Sequence, residues 1–361
     1  MKKNILIALP NDQLGGAEQY LKNIVIHYYK KQFNVTILFL TKKKFNGWEN
    51  LEDKVRLIYS SGKSTKKGLF QFLINIINLR HIKFDYIYTS HVHITGLIGF
   101  SIKLKILKTN KFIGRESTLI FDRFKGLKLF SFKLSYLLGY SSLDLLVCQT
   151  RLMKERFIES LPKLSKKIKI KVIPNPINLD LVIDNKKIDE NLGRFIVSAG
   201  RLIDVKGFDI LINAFKKIKI QKPNLKLVIL GEGKDRNKLE ELISKLGLHK
   251  DVLLIGFVKN VFPYFEKADA CVVSSRIEGF PNVLLQMMSQ NTKVISTKCA
   301  GDIETIDGII LSDVEDVDSL YEAILYSLNN NFSENRLIFN KQLDNRKIDN
   351  FIEKINSFIN E

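Results

Sequence analysis

Short β-branched runs alternate along the chain with longer segments whose apolar residues recur at helical spacing. Asn4–Leu9 reads as a strand, Gly16–Lys30 as an amphipathic helix and Asn34–Leu40 as a second strand. Leu69–Leu79 reads as a helix, Tyr86–Thr89 and Lys111–Gly114 as strands, Leu127–Leu138 as a helix and Leu143–Cys148 as a strand, and Ile168–Ile173 closes this half. The alternation then restarts. Phe195–Ala199, Lys226–Leu230, Val252–Ile255, Ala270–Ser274 and Lys293–Ser296 read as strands, and Phe208–Ile218, Lys238–Leu246 and Asp318–Leu328 as helices. Strands alternating with helices imply parallel sheets covered on both faces.

Between the halves lies IPNPINLD, then the polar, aperiodic stretch Asp184–Gly193, the strongest linker signal in the chain. The pattern therefore predicts an α/β protein of two doubly wound, Rossmann-like domains facing a central cleft, covering residues 1–178 and 179–345. A last amphipathic helix, Ile348–Ile359 within 346–361, is expected to pack back on the first domain. Ligands of such sheets lie beyond the carboxyl ends of the strands, so the loops that follow strands are the places to look.

Composition narrows the class. At 361 residues with 45% hydrophobic and 26% charged residues, the chain is globular and large enough for two cores. Cys148, Cys271 and Cys299 form no C-x-x-C pair and lie near no histidines at metal-ligand spacing, which suits core thiols of a reducing compartment. The apolar run Ile5–Leu9 is too short for a signal-peptide core, and no run is long enough to span a bilayer, so a cytoplasmic protein is expected. The net charge of +19 is unevenly spread: residues 1–180 carry 32 Lys and Arg against 12 Asp and Glu, a net of +20, while the remainder is at −1. One half thus faces something anionic: nucleic acid, a membrane or a phosphorylated substrate.

Several strand-end motifs carry candidate chemistry. In ALPNDQLGGAEQY, Gly15 and Gly16 open a helix and let the backbone approach a ligand. This is not a dinucleotide fingerprint, since G-x-G-x-x-G is absent. In SHVHITGLIG, His91 and His93 follow a strand; in GRESTLIFDR, Arg115, Glu116 and Ser117 follow another and suit a polar substrate or a satisfied salt bridge. In SAGRLIDVKGFDIL, Arg201 and Lys206 sit at a strand–helix junction, where two cations suit a diphosphate. LGEGKD supplies Gly231 and Gly233, and LLIGFVKN places Gly256 and Phe257 where a base can lie against backbone and ring.

SRIEGFPNVLLQMM, Ser275–Met288, is the most informative stretch. Glu278 lies in a loop, Gly279 and Phe280 follow, and Pro281 suits a first helical turn. The amides of Asn282 and Val283 then point at a phosphate. Gln286 is five residues beyond Pro281, about 7.5 Å along a helix axis at about 1.5 Å per residue. A sugar, a diphosphate and a ribose in series have that order.

With these motifs in this order, the whole chain resembles the retaining glycosyltransferases of family 4, with the two-domain GT-B fold. The resemblance is carried by E-G-F-P-N-V-L-L within Ser274–Thr297, by AGRLIDVKGFDIL, GEG and IGFVKN, and by the early GGAE. It implies that the second domain binds a nucleotide-sugar donor, with a UDP-sugar the first expectation, and the first an acceptor. Glu278 would then contact the donor sugar, and Arg201 and Lys206 would hold the diphosphate in place of a metal. The family carries Glu, seven residues, then Glu; here Gln286 stands at the second position, which keeps hydrogen bonding to the ribose but loses charge-assisted strength. A first-domain histidine near the sugar is common in the family, with His93 the first choice and His91 the second. The resemblance further implies transfer of a hexose or N-acetylhexosamine, with retention, to a polyprenyl-diphosphate-linked glycan in O-antigen- or capsule-type synthesis. The basic, apolar-interleaved SIKLKILKTNKF and DRFKGLKLFSFKLSYLL suit attachment to an anionic inner-membrane face. No cofactor and no nucleic-acid partner is expected, since base-stacking motifs are absent. The rival readings are a GT-B-fold nucleotide-sugar epimerase, which needs no basic acceptor domain, a nucleic-acid-binding module and, last, a nicotinamide dehydrogenase.

Overall fold

The computed structural model describes residues 2–13, 15–43, 47–60, 65–177 and 192–361. Most of the polar linker stretch, residues 184–191, lies outside these described residues. The chain divides into two compact units, Met1–Pro176 with Arg346–Glu361, and Ile177–Asn345.

The first unit holds a seven-stranded parallel sheet among the described residues, in the order β3-β2-β1-β4-β5-β6-β7. Its strands are β1 Asn4–Asn11, β2 Asn34–Thr41, β3 Arg56–Tyr59, β4 Lys83–Thr89, β5 Lys108–Arg115, β6 Leu145–Cys148 and β7 Ile170–Val172. Ile5–Leu9 are all fully buried, as expected of a central strand covered on both faces. Helix α1 (Gly16–Lys30) lies on one face. On the other lie α2 (Thr65–Asn78), α3 (Val92–Lys103) and, packed on α3, the pair α4 (Ile120–Arg123) and α5 (Gly126–Gly139). Helices α6 (Arg151–Ser160) and α7 (Pro162–Ser165) lead into β7.

Periodicity did not single out α3, whose β-branched and glycine content disfavours helix and whose apolar residues surround the axis. Its position explains both features. Sheet lies beneath it and α5 above, and an added Cβ on Gly99 would come 2.1 Å from the Gly139 carbonyl oxygen. The short strands β3 and β7 lie at the two sheet edges, where an apolar signal is weakest.

The second unit repeats the design with a six-stranded parallel sheet, β10-β9-β8-β11-β12-β13. These are β8 Phe195–Ala199, β9 Lys226–Leu230, β10 Val252–Gly256, β11 Ala270–Val273, β12 Val294–Thr297 and β13 Ile310–Ser312. Helices α8 (Phe208–Gln221), α9 (Arg236–Lys245) and α12 (Val317–Asn329) cover one face. Helices α10 (Phe262–Lys267), α11 (Asn282–Gln290) and α13 (Asn335–Asp344) cover the other.

The last helix, α14 (Ile348–Asn360), belongs to the first unit. Its apolar stripe Phe351, Ile352 and Ile355 is buried with Tyr20, Leu21 and Ile24 of α1. Phe351 meets Tyr20 edge-on at 5.5 Å between ring centroids. Asp349 reaches His27 of α1 at 2.8 Å, and Lys169 donates to the Phe358 carbonyl at 2.8 Å. Removing the Phe351 ring leaves a cavity in that core. Phe351→Ala is expected to destabilise the first unit by about 3–5 kcal/mol, read from denaturant unfolding, while the far-UV spectrum is retained.

Candidate functional site

In each sheet the chain reverses direction once, between β1 and β4 and between β8 and β11. Loops leaving the two strands of such a pair diverge, opening a crevice at their carboxyl ends.

In the second unit, the segment after β8 is a 3₁₀ turn, Asp204–Lys206, ending at Gly207 with φ +60°. The glycine is required twice over. A side chain strains that φ, and an added Cβ would lie 2.1 Å from the Ser274 carbonyl oxygen. This close approach brings Lys206 onto the loop after β11. Lys206 forms an ion pair with Glu278, whose Oε1 also accepts from Ser275 Oγ at 3.0 Å. The two side chains retain only 17% and 18% of their exposure. The loop itself is pinned from below: the Glu278 N–H donates to the Cys299 carbonyl at 2.7 Å, and Ser274 Oγ donates to the Lys206 carbonyl at 3.0 Å.

Arg276 fixes both segments together, a role that sequence reasoning missed. Its backbone N–H donates to the Val205 carbonyl at 2.9 Å, and its guanidinium grips the Asp209 carboxylate through Nη1 at 2.9 Å and Nη2 at 2.7 Å. Nη1 also donates to the Asp204 carbonyl, and Nε pairs with Glu315. Burial alone would raise the Asp209 carboxyl, but the bidentate Arg276 holds it below the ordinary carboxylate range. The only signal in the sequence was an arginine two residues before the loop acid, which does not reveal partners at 209 and 315.

Around this pair the other predicted residues take separate places. Arg201 is exposed just beyond β8. Gly231 and Gly256 form an antiparallel bridge, and an added Cβ on Gly231 would lie 1.9 Å from the Gly200 carbonyl oxygen, so three loops are laced by glycine. The Phe257 ring is exposed. Gly279, Phe280 and Pro281 are buried. Pro281 is the residue before the helix rather than part of its first turn, because its ψ of 94° is extended; α11 begins at Asn282, followed by Val283. Gln286 is half-buried on the same helix. The Cys299 thiol beneath the loop is pushed up to about 12, by burial first and by Glu278 second, so it stays a neutral core group.

In the first unit, α1 opens after Gly15, whose N–H donates to Glu18 Oε2 at 3.1 Å. Glu18 Oε1 is 3.0 Å from His91 Nε2. Burial would raise the Glu18 carboxyl, but the hydrogen bond and charge of His91 lower it overall. Gly15, Gly16 and His91 are thus brought together by Glu18, a residue the sequence reading quoted within GGAE without assigning it chemistry. His93 is not part of this group. It lies in the first turn of α3, with its ring stacked on Phe132 of α5 at 4.5 Å and Nδ1 2.8 Å from Ser135 Oγ. Two residues at about 100° per residue turn it roughly 200° away from His91's side.

Arg115 and Glu116, expected on the acceptor side, are 2% and 4% exposed and form no ion pair with each other. Arg115 ends β5, stacks over Tyr20 at 4.2 Å and donates to Asn175 Oδ1 at 2.6 Å. Glu116 accepts from Tyr136 Oη at 3.0 Å and Tyr140 Oη at 3.2 Å. These contacts make the pair a buried link between the sheet and α5 rather than an open binding surface. Ser117 is half-buried in the loop that follows.

The structure is that of a GT-B protein, two doubly wound parallel α/β units, each with its crevice at a switch point. HepE of Anabaena, solved in complex with UDP, superposes with a TM-score of 0.77 over the full length of both chains at 17% identity. WaaG, a glycosyltransferase involved in lipopolysaccharide biosynthesis, superposes at 0.73 over 98% of this chain and 99% of that one, at 15% identity. Residues 183–359 match the family of glycosyl transferases group 1, and the chain belongs to that family. An uncharacterized glycosyltransferase of Methanocaldococcus jannaschii is 34% identical over 266 residues, covering 68% of this chain and 65% of that one. The Campylobacter jejuni N-acetylgalactosamine-N,N'-diacetylbacillosaminyl-diphospho-undecaprenol 4-alpha-N-acetylgalactosaminyltransferase is 32% identical over 163 residues, 43% of each chain. The chain thus matches no more than about two thirds of the length of these relatives.

Burial raises the Glu116 carboxyl to about 7, opposed by the two tyrosine hydrogen bonds and Arg115. A folded value above the ordinary one means that the folded state binds the extra proton, so stability should fall as pH rises from about 4.5 to 7 and level off above. Glu116→Gln is expected to remove that slope, read from the thermal midpoint of both proteins across pH 4.5 to 8.

Proposed function

We propose that the protein is a retaining, metal-independent glycosyltransferase. It moves a hexose or N-acetylhexosamine from a UDP-sugar to a polyprenyl-diphosphate-linked glycan in O-antigen- or capsule-type polysaccharide synthesis. The observation that carries the reading is the meeting of Lys206 and Glu278 at the β8/β11 switch point, beside the N-terminus of α11. Lys206, Arg201 and the first-turn amides of α11 supply positive potential for a diphosphate, and charge grows there as the glycosidic bond to phosphate breaks. Glu278 accepts hydroxyl hydrogens of the sugar, and Gln286, behind the helix start, bonds the ribose. Gly15 and Gly16 offer backbone for close approach, with His91 held beside them by Glu18. The diphosphate oxygen freed by bond cleavage then takes the acceptor hydroxyl proton on the same face of the sugar, which preserves the anomeric configuration. Support comes from the family, from the UDP-bound HepE structure and from the diphospho-undecaprenol acceptor in the Campylobacter relative's name.

The acceptor side of the reading places the protein at an anionic membrane surface. No described helix is long and apolar enough to cross a membrane. Of the helices on one face of the first sheet, α2, α3 and α5 contain no Asp or Glu, whereas α4 carries Asp122 and α6 carries Glu155 and Glu159. Leu127, Phe130, Leu134 and Leu137 recur at helical spacing along α5 and are exposed, joined by Phe70 and Ile77 of α2. Lys125, Lys128 and Lys133 flank them. Apolar rings and chains enter the headgroup boundary while each lysine near an anionic surface contributes about 1 kcal/mol.

Thermal unfolding without metal tests the donor. UDP in excess should raise the midpoint where NAD does not, and Gln286→Glu should bind UDP about three- to tenfold tighter by restoring a charge-assisted bond to the ribose. A shift with NAD alone overturns the assignment. Co-sedimentation with phosphatidylglycerol vesicles tests the surface: Phe130→Asp with Leu137→Asp should cut binding at least tenfold with an unchanged thermal midpoint.

A further inference from the structure

Lys206 and Glu278 have different tasks in the reading above, on which this inference rests: one holds the donor's diphosphate, the other its sugar. In the structure each is the other's partner. We infer that this ion pair is a latch that the intact nucleotide sugar opens and the nucleoside diphosphate product does not hold open, so that it discriminates between the two.

The inference follows from what remains for Glu278 once Lys206 is drawn to phosphate. Its backbone N–H is committed to Cys299, and among the described residues its carboxylate keeps only the Ser275 hydroxyl at 3.0 Å. A half-buried carboxylate with one donor, beside a newly arrived anion, is unfavourable. Sugar hydroxyls are donors and cure the deficit, so a donor carrying its sugar replaces both halves of the pair. A nucleoside diphosphate replaces one half only.

The clamp on either side keeps the latch short of other escapes. Gly207 leaves no room between the Lys206 turn and Ser274, and Arg276 ties the Glu278 loop to Val205, Asp204 and Asp209. The two groups therefore separate by side-chain rotation, not by loop movement. After transfer the sugar leaves with the acceptor, Glu278 recaptures Lys206, and the diphosphate keeps Arg201 but loses the second of its two cations. In this scheme, apparent affinity for the bare nucleotide is its intrinsic affinity reduced by the fraction of protein with the latch open.

The experiment is a double-mutant cycle on UDP binding, measured by calorimetry with wild type, Glu278→Gln, Lys206→Met and the double variant. Glu278→Gln keeps the shape of the side chain, and a thermal midpoint for each variant reports that it folds. Glu278→Gln should bind UDP at least fivefold tighter than wild type, and in the Lys206→Met background the same change should alter affinity less than twofold. Equal tightening in both backgrounds would mean simple charge repulsion and overturn the latch. No tightening in either would overturn it as well. If none of the four proteins binds UDP, the donor reading itself fails and the latch falls with it. UDP binding by wild type without the cycle's coupling removes the latch alone.

Discussion

A parallel sheet whose chain winds first to one side and then to the other must leave one pair of neighbouring strands whose exits diverge. No helix can cover that gap from within the same winding. In this protein the constraint acts twice, at β1/β4 and β8/β11. In the second unit Lys206 follows β8 and Glu278 follows β11, the two strands that flank its gap. The buried strands, with residues such as Ile5–Leu9 and Ile196–Val197 wholly shielded, provide the rigid base that such delivery needs.

Delivery alone does not position a side chain, and the two switch points solve this differently. In the second unit the solution is electrostatic and exposed to one side: Arg276 reaches four partners and makes one body of the turn bearing Lys206 and the loop bearing Glu278. In the first, a buried chain of polar groups does the holding. Tyr136 and Tyr140 bind Glu116, the Glu116 carbonyl accepts from Gln149, Gln149 accepts from Asn175, and Asn175 accepts from Arg115. That chain fastens α5, with its exposed apolar stripe, to the carboxyl end of β5. These bonds between buried polar groups specify one arrangement of the helix on the sheet, although Arg115 Nε and Nη1 have no hydrogen-bond partner among the described residues.

The positive charge of the first 180 residues has a place within this architecture. Part of it lies on α2, α3 and α5, which carry lysines and no carboxylates. Residues 181–361 are near neutral overall, with Arg201 and Lys206 in the segment that follows β8.

Sequence alone determined the period of the elements, the family and the identity of the loop residues. Those follow from local chemistry: alternation of buried and exposed positions, glycine where the backbone needs room, and a proline ahead of α11. It also carried Glu278, Lys206 and Gln286 into the site without any distance. Tertiary structure alone decided which residues meet. Arg276 finds Asp209 and Glu315 across 67 and 39 positions, and Glu18 finds His91 across 73. It decided too that Arg115 and Glu116, adjacent and polar at a strand end, turn inward, and that His93 turns to Phe132 while His91 turns to Glu18. Neither direction is encoded in residue type. Each depends on what the rest of the sheet and its helices place opposite, which is a property of packing between distant segments.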